Sequence, residues 1–79
     1  MTRRTARAEK DLDKLPEALK NKAAEALIER LQTETSLGKK LQGKLEGKRS
    51  LRLGRTHRII YTVDPLIVLT IVARKDAYR

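Results

Sequence analysis

The side chains best suited to chemistry in this sequence are cations, and eight of the nineteen crowd into one stretch. Residues 38–58 contain Lys39, Lys40, Lys44, Lys48, Arg49, Arg52, Arg55 and Arg58 against a single acid, Glu46, together with all four glycines of the chain. Like charge at this density repels itself, and a folded protein tolerates it when a polyanion or an acidic partner supplies the balance. A planar guanidinium grips two phosphate oxygens at once and keeps its proton, so arginines suit the stabilisation of phosphate charge and not the abstraction of a proton. Proton transfer would fall to one of two other groups. Tyr78 has an ordinary pKa of about 10, which cations such as Arg74 or Lys75 would have to lower. His57, the sole histidine, has an ordinary value of about 6.5.

Other chemistries lack their parts. The chain has no cysteine, which removes thiolate chemistry and disulfides and fits a reducing cytoplasm. One histidine and no cysteine do not make a zinc or transition-metal site, so neither a metal nor another cofactor is expected. No carboxylate pair or serine with an adjacent base can be assembled. Gly43 and Gly47 lack the preceding strand and following helix that a phosphate-cradling loop requires, and Glu46 beside Gly47 reads as a turn or charge-balancing residue.

The cations must be held by something, and the chain is short for that task. Its 79 residues make one domain, residues 1–79, which buries only about two thirds of the surface its unfolded chain exposes. With no Phe and no Trp, Leu, Ile, Val and Ala must fill the core. The longest apolar run, residues 66–73, falls far short of the roughly 20 residues that span a bilayer, and no signal peptide is visible. The chain is therefore expected to be cytoplasmic and without a membrane partner. Its net charge of +9 points to nucleic acid, an acidic protein or, as the weaker alternative, an anionic membrane surface.

Apolar spacing places the elements. Ala8, Leu12, Leu15 and Leu19 share one helical face. Pro16 breaks that pattern near Lys14 and Leu15 and starts a second helix at residue 16 or 17. The second helix carries Leu19, Ala23, Leu27 and Leu31, widened by Ala24 and Ile28, and fades by Thr35 and Ser36, with Gly38 just beyond its end. Residues 1–5 are too short and polar to decide between a clipped strand and an arm. Leu51 and Leu53 alternate with Ser50 and Arg52 as a half-buried strand. A turn then leads into residues 57–63, Asp64-Pro65 turns again, and residues 66–74 read as a central strand. The expected fold is α+β, with two N-terminal helices packed on one face of a small antiparallel β-meander.

Residues two apart in a strand share a face. If Leu51, Leu53, Ile59, Tyr61 and Val63 face the helices, then Arg52 and Arg58 project from the opposite, uncovered side. Arg74 is expected to join them, on a face shared with Val72, Thr70 and Val68, with Tyr78 folding back over its edge. His57 alternates with Arg58 and should point the other way.

Four segments in this order, AEKDLDKLP, GKKLQGKLEG, RSLRLGRTHRIIYTV and RKDAYR, resemble the RelE/ParE superfamily of bacterial type II toxin–antitoxin toxins. The resemblance runs over residues 8–79. Its RelE branch implies a metal-independent, ribosome-dependent endoribonuclease that cuts mRNA and so inhibits translation. Its ParE branch implies a DNA gyrase inhibitor without nuclease chemistry. Carried over residue by residue, the resemblance implies catalytic roles for Arg52, Arg58, Arg74 and Tyr78. Lys44, Lys48, Arg49, Arg55 and Lys75 are the further candidates for RNA binding. The implied partners are the ribosome and mRNA, and a cognate antitoxin in a hetero-oligomer. The sequence departs from the family in Ser50, where RelE-type enzymes often carry a second basic residue, and in Val72-Ala73, where many relatives have Gly-His. Cleavage through the RNA's own 2′-hydroxyl would need in-line positioning, a base, charge stabilisation at the phosphate and an acid for the leaving oxygen.

Overall fold

A computed structural model of the chain describes residues 3–20, 24–41 and 47–73. In chain order its elements are β1 (Arg3–Arg4), α1 (Ala6–Asp13), α2 (Glu17–Leu19), α3 (Glu25–Arg30), β2 (Lys39–Lys40), β3 (Lys48–Leu53), β4 (His57–Val63) and β5 (Leu66–Ala73). The long strands β3, β4 and β5 form the antiparallel meander that their alternation implies. The sheet as a whole is mixed, however, with five strands in the order β1-β5-β4-β3-β2. β1 runs parallel to β5, and β2 pairs antiparallel with β3. The purely antiparallel sheet expected above is corrected to this extent. Both added strands are two-residue, charged edge strands, defined by ladder hydrogen bonds and not by burial, so neither leaves an apolar alternation to read.

The α1 helix begins where Thr5 caps it: the Thr5 hydroxyl accepts from the Ala8 N–H at 3.0 Å, satisfying a donor that the first turn cannot. Its buried residues, Ala8 and Leu12, are four apart and so lie on one face. Pro16 stands immediately before α2, where its missing N–H costs nothing. α3 ends at Arg30, short of the expected limit at Thr35 and Ser36, and the chain continues through turns closed by Thr33 and Glu34 onto the Arg30 carbonyl. Ile28 and the two residues that cap the helix, Ala24 and Leu31, are fully buried, while Leu27 and, in α2, Leu19 pack only partly. These residues join Leu15, Leu51, Leu53, Ile59, Tyr61, Val68 and Ile71 in one cluster, so a single face of the sheet supplies the core.

One irregularity shifts a face. Ile60 pairs with Thr70 but Tyr61 pairs with Val68, which leaves Leu69 without a partner in β4. Such a bulge resets the alternation: Val68 lies in the core cluster, not on the far side with Val72 as strict alternation predicts. The Leu69 carbonyl accepts from the Thr5 hydroxyl, so the residue that caps α1 also satisfies the bulge.

Candidate anion-binding face of the sheet

The side chains that alternate with the core set form three rows across the sheet. Arg52 lies directly opposite Arg58, and Arg58 opposite Val72. The next row runs Lys39, Ser50, Ile60 and Thr70. The third runs Lys48, Thr62, Ile67 and Arg3. Arg3, Lys39, Lys48, Arg52 and Arg58 thus share the side of the sheet turned from the core, and no described acid occupies any of these rows. Arg52 is exposed and Arg58 half-buried.

This side is not wholly bare. Ser50 and Ile60, in the middle row, are 3% and 6% exposed. Long basic side chains in the flanking rows suit this, since their aliphatic stems can lie along the sheet while their charged ends reach water. The Ser50 hydroxyl oxygen is buried without a hydrogen-bond partner among the described residues.

The other candidates divide. Lys48 belongs to the cationic side. Arg49 alternates to the core side, where its guanidinium donates to the Gly38 carbonyl at 2.8 Å. Arg55 is exposed at the tip of the β3–β4 hairpin. Lys44, Arg74, Lys75 and Tyr78 lie outside the described residues. Sequence reasoning missed Arg3 and counted Lys39 in the basic stretch without placing it on the sheet, because a two-residue strand offers no period to detect. His57 sits on the core side, half-buried, with its Nδ1 2.7 Å from the Thr56 hydroxyl.

Two further contacts hold the sheet in shape beneath the arginine rows. The Tyr61 hydroxyl accepts from the Gly38 N–H at 2.8 Å and donates to the Thr35 carbonyl at 2.9 Å. Gly38 is needed there for close approach: a Cβ would fall 2.8 Å from both the Ser50 carbonyl oxygen and the Tyr61 hydroxyl. On the core side of β1, Arg4 makes a two-point contact with Glu25 at 2.7 and 3.1 Å. That hydrogen bonding, chiefly, raises the Arg4 pKa above its ordinary value against the opposing effect of burial. Among the described residues no three His, Cys, Asp or Glu side chains converge as metal ligands, and no helix is long and apolar enough to cross a membrane.

The sequence pattern of the ParE toxin of the type II toxin–antitoxin system parDE matches residues 3–78. The chain belongs to this toxin family. A solved chain from the toxin–antitoxin complex RelBE2 of Mycobacterium tuberculosis superposes on the toxin with a TM-score of 0.75 at 32% identity, covering 94% of this chain and 90% of that one. The conserved hypothetical protein HP0894 of Helicobacter pylori matches 99% of the toxin and 100% of its own length, with a TM-score of 0.56 at 22% identity. That second likeness extends to the fold alone. No protein of curated function matches the toxin.

Proposed function

We propose that this toxin cuts mRNA held in the ribosome, using the cationic side of its sheet to grip the phosphate at the cut, and that a cognate antitoxin holds it in check. The observation that carries this reading is the direct opposition of Arg52 and Arg58 across β3 and β4. Two guanidinium forks that face each other across a strand pair can hold the oxygens of one phosphate between them. Similarity to a chain of a toxin–antitoxin complex supports the antitoxin partner.

In this mechanism Arg52 and Arg58 hold the non-bridging oxygens and stabilise the charge that builds as the 2′-hydroxyl attacks. Neither can take the proton. His57 belongs to the opposite side of β4, with its Nδ1 engaged by Thr56, which favours Tyr78 for proton transfer and Arg74 as the third guanidinium, as the family resemblance implies. The toxin presents little aromatic surface for stacking bases, so the ribosome would supply the positioning that free RNA does not.

A second reading, inhibition of DNA gyrase, is favoured by the name of the matching family. Primer extension on mRNA from cells briefly expressing the toxin separates the two. Nuclease action gives in-frame cuts, and these should weaken about 100- to 1000-fold in Arg52→Ala and Arg58→Ala, the loss typical of one charge-stabilising donor. Intact mRNA with loss of supercoiling would instead assign the toxin to gyrase.

A further inference from the structure

The α1 helix sorts its charges. Its three acids are each engaged: Glu9 lies 3.9 Å from Arg4, Asp13 lies 3.8 Å from Lys20, and Asp11 accepts from Thr70 and from the Ile71 N–H. Its cations are not. Arg7, Lys10 and Lys14 are exposed and form no ion pair with any described residue. Spaced three and four apart, they make one stripe, and together with Ala6 and Asp11 they line an open groove. The groove continues past Asp11 and Lys14 to Leu15, His57, Ile71 and Ala73. His57 and Ala73 are paired across β4 and β5, one position beyond the row of Arg52, Arg58 and Val72. The basic groove therefore ends where the arginine row begins, at the same end of the sheet and round its rim.

We propose that this groove holds the phosphates of the same RNA strand that the Arg52–Arg58 face grips, so that the strand passes round the end of β4 and β5 at His57 and runs along α1. The inference rests on the nuclease reading for the identity of the strand. An acidic protein helix is the weaker occupant. Helix-in-groove docking draws on apolar anchors, and the lining here is three cations, His57, two alanines, the already buried Leu15 and Ile71, and Asp11, whose carboxylate is engaged by Thr70 and the Ile71 N–H. A phosphate backbone needs only the cations.

The test compares the full chain with Arg7→Ala/Lys10→Ala/Lys14→Ala. Arg7 and Lys10 are exposed helical positions and Lys14 is the exposed C-cap with helical backbone angles, so alanine is tolerated at each, and circular dichroism checks that folding is kept. Binding of labelled oligouridylates of about 12 and about 4 nucleotides, lengths bracketing single-strand site sizes, is followed by anisotropy as salt is varied. Each phosphate contact on a single strand contributes about −0.7 to the slope of log K against log salt. The triple variant should thus flatten the slope by about 2 for the long strand and leave the short one unchanged. An unchanged slope for the long strand overturns the proposal, as does an equal change for both lengths. Tighter binding of polyglutamate than of RNA, abolished by the same substitutions, also overturns it and assigns the groove to an acidic protein. Flattening in a toxin that leaves mRNA uncut supports the groove and rejects the nuclease reading, so the two failures are distinguishable.

Discussion

Tyr61 shows how much one side chain can decide in a core without Phe or Trp. It is fully buried, and its hydroxyl joins the loop before β2 to the sheet by accepting from Gly38 and donating to Thr35. Tyr61→Phe keeps the ring and strands both backbone groups, so equilibrium denaturation should show a loss of about 1–3 kcal/mol, the cost of unsatisfied buried partners. A loss below a few tenths would mean that water replaces the hydroxyl. Alternation alone marked Tyr61 as a core residue and Arg52 and Arg58 as its opposites, because both fall where period two is unbroken. It could not foresee Arg49 bound to the Gly38 carbonyl, since that contact depends on a loop whose path carries no period. Nor could it foresee that Gly38 serves close approach and not the end of a helix.

At the scale of elements, the junction of α1 with β5 organises one side of the molecule. β1 pairs with β5 only at Ile67 and Val68, after which the outer edge of β5 would present open ladder donors. Asp11 closes that edge by accepting from the Ile71 N–H at 3.1 Å and from the Thr70 hydroxyl, and Thr5 closes the bulge. Charge-assisted bonds of this kind contribute roughly 1.5–3 kcal/mol each. Asp11→Ala should lower stability by at least about 2 kcal/mol on that scale, and amide exchange at Ile71 should speed up more than at residues of β4. Uniform acceleration in both strands would show that Asp11 supports the fold generally and not this edge. The helices and three long strands were legible because each carries an apolar period several residues long. The two edge strands and the bulge were not, because the bulge inserts a residue that looks apolar like its neighbours, and Arg3–Arg4 and Lys39–Lys40 look like loop.

For the whole molecule the governing quantity is charge confined to a small volume. A net +9 within a radius of gyration of 11.4 Å places most cations within about one or two Debye lengths of one another at 0.1 M salt, where that length is about 10 Å. The free toxin is therefore destabilised by the very surface proposed to bind RNA. Replacing exposed Arg52 by Gln removes one of two opposed charges, a repulsion of roughly 0.2–1 kcal/mol for a cross-strand pair, at the lower end for an exposed one. At low salt the Arg52→Gln protein should melt up to a few degrees higher than the parent, because about 1 kcal/mol moves Tm by about 4–8 °C in a domain of this size. Polyuridylate reverses the order. A ligand at about 100 times its Kd adds about 2.7 kcal/mol, and the parent, which binds more tightly, gains more of it than the variant. Differential scanning fluorimetry at low and high salt, with and without polyuridylate, reads all four states. If Arg52→Gln melts lower than the parent without polyanion, the Arg52–Arg58 opposition is compensated within the fold and does not destabilise the free toxin.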